Sequence, residues 1–151
     1  MSLVHGLAGP EDLFSKLERE RQAIESAVKT NSDVQLSDAI FNFSVSAYHL
    51  RDWIAALNLV PPQDLLSLFA THQELQACRD IANSAKHFQI ERYSPTTQDV
   101  YVSATAASYV PGIGGRVKIR MLDGRKFEVC DWADTSIGAW RAFMTEHKIL
   151  K

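Results

Sequence analysis

The stretch CRDIANSAKHF, residues 78–88, decides how the rest of the chain can be interpreted. At about 100° per residue on a helix, its apolar side chains share one face and its polar side chains crowd the other. A helix that only fills a core does not need so many different polar groups beside its apolar stripe. We therefore expect this helix both to pack against a neighbour and to carry a site, made of Arg79, Asn83, Lys86 and His87 with Asp80 at its edge.

A second helix, predicted over residues 38–59, places two polar side chains among nearly continuous apolar ones. Its segment AYHLRDWI contains His49 and Asp52. Because an unpaired carboxylate in an apolar setting is costly, the sequence predicts that Asp52 is buried and bonded. The predicted partner is His49 on the same helix or a side chain of the helix around residues 79–87. If the two helices pack, His49 and Asp52 join the polar set in one pocket.

The composition describes an ordinary globular chain. It has 151 residues, 46% hydrophobic and 23% charged, with a net charge of −2, so a single domain over residues 1–151 is expected. This balance gives no global field toward nucleic acid, and any such contact requires a local patch. Two cysteines indicate buried thiols in a reducing compartment. Without an 18-residue apolar run or a signal-peptide pattern, we expect no membrane partner and a cytoplasmic location.

Periodicity predicts an α+β fold. An antiparallel bundle over residues 11–90 contains three long helices, the first over 11–29 and the second over 38–59, with a short turn of helix at 63–69. Thr71 and Glu74 match a capping box that would open the third long helix. A small antiparallel three-stranded sheet follows over residues 98–131. A closing helix over residues 135–149 completes the fold.

The sheet's hairpin has a register that parity can decide. Val117, Ile119 and Met121 alternate with charged residues, which predicts a half-buried strand. A three-residue loop at 122–124, with Gly124 in the left-handed region, would set Ile119 opposite Phe127 and Val117 opposite Val129. A two-residue turn would mix the two faces. We therefore predict the three-residue loop.

Chemistry on the polar helix would centre on an arginine and a histidine. Arginine binds phosphate through two parallel hydrogen bonds, and histidine acts as a general acid or base in phosphodiester cleavage. Arg79 and His87 are accordingly the candidate catalytic residues, and Asn83, Lys86, His49 and Asp52 are candidate binding residues.

The helix order and the Arg79-to-His87 segment resemble the HEPN superfamily of helical domains. Many members of that superfamily are ribonucleases or RNA-binding modules, and they are often dimers. Arg79-Asp80 matches the opening of the family motif, although seven residues separate Arg79 from His87 here and four to six are usual. The AYHLRDW and CRDIANSAKHF helices also look like paired helices of uncharacterised bacterial and phage proteins. The resemblance covers residues 11–90. It implies a domain that binds RNA or a nucleotide phosphate, forms a homodimer and is a candidate ribonuclease.

Two other interpretations use the same residues. In the first, the chain is a non-catalytic interaction or structural module, whose buried polar network fixes the packing of the second and third helices. In the second, His49, Asp52 and His87, with Asp80 nearby, are ligands of a metal in the bundle. The chain contains no His-Glu-x-x-His or Glu-x-x-His pair, and a buried Asp–His hydrogen bond needs the same residue types. We therefore predict no metal and no cofactor.

Overall fold

The computed structural model describes residues 3–86, 93–102 and 117–151, and for residues 85, 86 and 102 it describes the backbone alone. The described part of the chain contains five helices and a three-stranded antiparallel sheet, in the order α1–α4, β1–β3, α5. The predicted α+β class is therefore confirmed. His87, the loop at 111–115 and the rest of residues 87–92 and 103–116 lie outside the described residues.

The first two helices form an antiparallel pair. α1 (Pro10–Lys29) begins with a proline in its first turn, followed by Glu11 and Asp12 near the positive end of the helix dipole. α2 (Asp33–Ala56) begins earlier than the predicted residue 38, because the Ser32 side chain accepts the Gln35 N–H at 3.3 Å. The predicted start of this helix at residue 38 is therefore wrong. α2 buries one face against α1 and α4, with Leu36, Ile40, Phe43, Ala47, Leu50 and Ile54 on that face.

A break at His72 separates the next two helices. α3 (Pro62–Thr71) ends where the capping box was predicted to begin, and the Thr71 hydroxyl donates to the carbonyl oxygens of Ser67 and Leu68. The predicted capping box is therefore wrong. His72 is extended at φ −125°, and its carbonyl oxygen accepts the N–H groups of Leu75 and Gln76 in the first turn of α4 (Gln73–Lys86).

The sheet has the strand order β1-β2-β3, with β1 (Thr97–Val102), β2 (Val117–Met121) and β3 (Lys126–Glu128). Ile119 pairs with Phe127, and Gly124 has φ +93°, so the three-residue loop is confirmed. The predicted pair of Val117 with Val129 does not form, because Val129 already belongs to the last helix. One sheet face packs on the helices and buries alternate residues of β2.

The last helix, α5 (Val129–Glu146), begins six residues before the predicted start at 135. The Glu128 carboxylate caps it by accepting the N–H groups of Cys130 at 3.1 Å and Asp131 at 2.9 Å. Trp132 and Trp140 are both fully buried, and they bring α5 into the centre of the core. Trp132 packs edge-on against Phe43 of α2 and donates its ring N–H to the Glu74 carbonyl of α4 at 2.9 Å.

Candidate functional site

The site is built on α4, whose apolar side is held by the core while one carboxylate is buried beside it. Leu75, Ala77 and Cys78 are completely buried, which fixes the rotation of the helix. Asp80 is only 4% exposed, so this carboxylate has left water almost entirely. Burial of an ionised group is tolerated when it is paired and hydrogen-bonded, and the surroundings of Asp80 meet both conditions.

Four of the described residues donate to the Asp80 carboxylate. Oδ2 accepts the backbone N–H groups of Thr96 at 3.0 Å and Thr97 at 2.8 Å, which lie at the start of β1. Oδ1 accepts the Tyr93 hydroxyl at 2.9 Å and the Arg79 Nε–H at 3.0 Å. The carboxylate therefore ties α4 to the segment that enters the sheet, 16 and 17 residues further along the chain.

The neighbours of Asp80 bond to each other as well. The Arg79 guanidinium lies 4.5 Å from the centre of the Tyr93 ring, and its Nη2 donates to Thr96 Oγ1 at 3.4 Å. Asn83 donates its side-chain amide to the Tyr93 hydroxyl at 3.1 Å. We call these five residues, Arg79, Asp80, Asn83, Tyr93 and Thr96, the Asp80 network.

The protonation of Tyr93 and the charge pairing of Arg79 with Asp80 are consistent with the hydrogen bonds of the Asp80 network. The pKa of Tyr93 is raised above its ordinary value, mainly because burial disfavours the phenolate; the Asn83 hydrogen bond opposes this and the Asp80 carboxylate adds to it. Tyr93 is thus held in its protonated, donating form. The cation of Arg79 neutralises the anion of Asp80, with Nη2 3.0 Å from Oδ1. This arrangement can hold α4 and the start of β1 together.

A groove of about 310 Å³ lies beside the network, between α4 and β1. Its walls combine small apolar groups with hydroxyl, amide and carboxylate groups, from residues Asp80, Ile81, Ser84, Pro95, Thr97, Gln98, Asp99 and Val100. Asp99 is held by both arms of Arg120, at 2.9 and 2.8 Å, and this pairing lowers the pKa of Asp99. The groove borders the Asp80 network, because Asp80 is one of its lining residues.

The structure brings together part of the predicted set. Arg79 and Asn83 both belong to the Asp80 network, whereas His87 and the Lys86 side chain lie outside the described residues. Sequence reasoning missed Tyr93 and Thr96, because they follow the helix in a segment without periodicity. The signal that was present is Asp80 itself, a carboxylate directly beside the apolar stripe that requires donors.

The prediction that Asp52 is buried and bonded to α4 or His49 is wrong. The Asp52 side chain is 51% exposed and pairs with its neighbour Arg51 at 3.0 Å, and His49 is exposed as well. The prediction treated α2 as apolar on every side, and therefore buried on every side. Instead α2 leaves apolar groups such as Phe41 partly in water, and His49 and Asp52 share that outer side. They do not meet the Asp80 network.

Within residues 3–86, 93–102 and 117–151, no group of three or more His, Cys, Asp or Glu side chains is arranged to hold a metal ion. None of the helices described is long and apolar enough to cross a bilayer. No protein-family model, curated protein or solved structure matches this chain.

Proposed function

We propose that the chain is a non-catalytic interaction module, in which the Asp80 network fixes the sheet on the helical bundle and presents it to a partner. The observation on which the proposal rests is that Arg79 already contacts other residues of the protein. Its Nε donates to Asp80, its Nη2 reaches Thr96, and its flat face lies over the Tyr93 ring. A phosphate-binding arginine needs those donors for its ligand.

The ribonuclease hypothesis makes the opposite demand on the same residue. A phosphate bound through Arg79 Nε and Nη2 would displace Asp80 and leave a carboxylate that is 4% exposed without its cation. RNA or nucleotide-phosphate binding and homodimer formation remain predictions of the resemblance.

The test is a cleavage assay joined to a stability measurement on the full chain. We expect wild type, freed of contaminating nuclease, to leave single-stranded and structured RNA intact between pH 6 and pH 9. Arg79→Ala should lower the unfolding free energy by about 2 kcal/mol, because it leaves a buried carboxylate partly unpaired. Arg19→Ala, an exposed arginine of α1, is the matched control and should change it by less than about 0.5 kcal/mol.

Cleavage by wild type that is lost in His87→Ala, with an unchanged melting temperature, would overturn the proposal. So would an Arg79→Ala variant as stable as wild type, because Arg79 would then be free to serve a ligand.

A further inference from the structure

β1 is an edge strand of the sheet. Among the described residues only β2 pairs with it, and alternate residues of an antiparallel edge strand direct their N–H and C=O groups away from the paired neighbour. Natural edge strands are often protected by lysine or proline, and the sequence of β1, TQDVYV, contains neither.

Asp80 occupies the beginning of this outer edge. The Thr96 carbonyl accepts the Leu122 N–H at 2.8 Å, so it points toward the hairpin that β2 and β3 form. In a planar trans peptide the following N–H points the opposite way, and this N–H, from Thr97, donates to Asp80 at 2.8 Å. The Asp80 carboxylate therefore accepts an outward-pointing N–H at the first residue of β1. The carbonyl groups of an added strand would accept such N–H groups further along β1.

The groove continues the same edge beyond Asp80. Val100 pairs with the buried Ile119, so its side chain lies on the sheet face that packs on the helices, yet it is 40% exposed. Ile81 of α4 forms the opposite wall and is partly buried. An extended segment running along β1 would place alternate side chains toward this wall.

The polar groups of the groove favour hydrogen-bond donors. Its lining contains Asp80 and Asp99 and no lysine or arginine. Each oxygen of Asp99 accepts one hydrogen bond from Arg120, and a carboxylate oxygen has a second lone pair for another donor. Because Arg79 and Arg120 already offset the charges of the two carboxylates, the groove offers hydrogen-bond acceptors to the donors of a segment that enters it.

We propose that the outer edge of β1 and the groove beside it bind an extended segment of a partner protein, which adds to the sheet as a further strand. One apolar side chain of the segment packs between Val100 and Ile81, and a lysine or arginine lies against Asp99. This names the docking surface of the interaction module and so rests on the function proposed above. Main-chain hydrogen bonds supply the affinity and the groove supplies the specificity.

The test uses the full chain and a displayed library of random nonapeptides as the probe. The best binder is then synthesised with a fluorescent label. We expect enriched peptides to alternate apolar and basic residues, and binding to fall at least tenfold in Val100→Lys. Leu122→Lys, at an apolar residue of the hairpin loop that is 64% exposed, is the control and should bind like wild type. Methylation of alternate peptide nitrogens should abolish binding to wild type, which tests the edge without altering the protein.

The proposal would be overturned if no peptide is enriched, or if binding is unchanged by both Val100→Lys and nitrogen methylation. It would also be overturned if the chain forms a dimer that Val100→Lys dissociates, because a second copy would then occupy the edge. Failure of the edge is distinguishable from failure of the non-catalytic function. If the chain cleaves RNA and still binds the peptide along β1, only the proposed non-catalytic function fails. If it neither cleaves RNA nor binds a peptide, only the proposed docking edge fails.

Discussion

Two Arg-Asp dipeptides on neighbouring helices show how little the local sequence says about a carboxylate. Arg51-Asp52 and Arg79-Asp80 are both followed by an apolar residue, and in both the arginine pairs with the aspartate next to it at 3.0 Å. The Asp52 side chain is 51% exposed, whereas that of Asp80 is 4% exposed. The difference arises from donors supplied by Tyr93, Thr96 and Thr97, which no pattern within α4 reveals.

The two aspartates make a matched pair for mutation. We expect Asp80→Ala to lower the unfolding free energy by about 2–4 kcal/mol, because a partly buried guanidinium and two backbone N–H groups lose their acceptor. Asp52→Ala should change it by less than about 0.5 kcal/mol, since an exposed ion pair contributes little. Urea denaturation of both variants, with similar m-values, measures the difference. Equal midpoints would mean that the Asp80 network does not stabilise the fold.

At the scale of elements, the sequence predicted the existence of helices and strands better than their first residues. The closing helix was predicted and carries Ile137, Trp140, Phe143 and Met144 on its buried side, and alternation identified β2 and its register. The predicted first residues of the helices were wrong because several residues in each case could serve as the cap. Ser32 and Ser37 both precede apolar residues of α2, and Glu128, expected within a strand, caps α5.

The candidate site was predictable only in part, for a related reason. Arg79, Asp80 and Asn83 stand on a periodic helix, so their common location follows from the sequence. Their partners come from a segment 10–17 residues later, and only tertiary structure brings it back to α4. His49 and Asp52 were misplaced because exposed apolar residues, here Phe41, are common on protein surfaces and do not mark a buried helix face.

The cap of α2 gives a test at this scale. Ser32→Ala should lower stability by about 1 kcal/mol, because the Gln35 N–H loses its acceptor. Ser37→Ala, within the helix and exposed, should leave stability unchanged or raise it by a few tenths of a kcal/mol, since alanine is the better helix former. Thermal unfolding of the two variants compares them directly. A larger loss in Ser37→Ala would place the start of α2 at the residue predicted from the sequence.

For the whole molecule, α5 joins elements that are distant in sequence. Arg21 of α1 donates to Asp134 at 2.7 Å, and Arg141 pairs with Glu18 at 2.5 Å. Cys78 of α4 is fully buried against this helix, with its Sγ 3.7 Å from Ser136 Oγ. Burial raises the pKa of the Cys78 thiol to about 12 and that of the half-buried Cys130 to about 11.

Thiol labelling therefore reports on global opening. At pH 8 in native buffer, Cys130 should react slowly with a disulfide reagent, and Cys78 should react only at the rate of whole-molecule unfolding. In denaturant both thiols should react at once, and a Cys130→Ser variant isolates the signal of Cys78. Native Cys78 reacting as fast as an unfolded thiol would show that α4 and α5 separate without unfolding the rest.

The position of Trp132 also constrains how the chain matures during synthesis. Phe43 leaves the ribosome long before the tryptophan that packs on it, and at about 5–20 residues per second the delay is on the order of 10 s. Throughout that interval the nascent bundle carries the apolar surface that α5 will later cover. Translation speed and chaperone protection therefore bear on the yield of this protein, because its core closes only after its last helix has emerged.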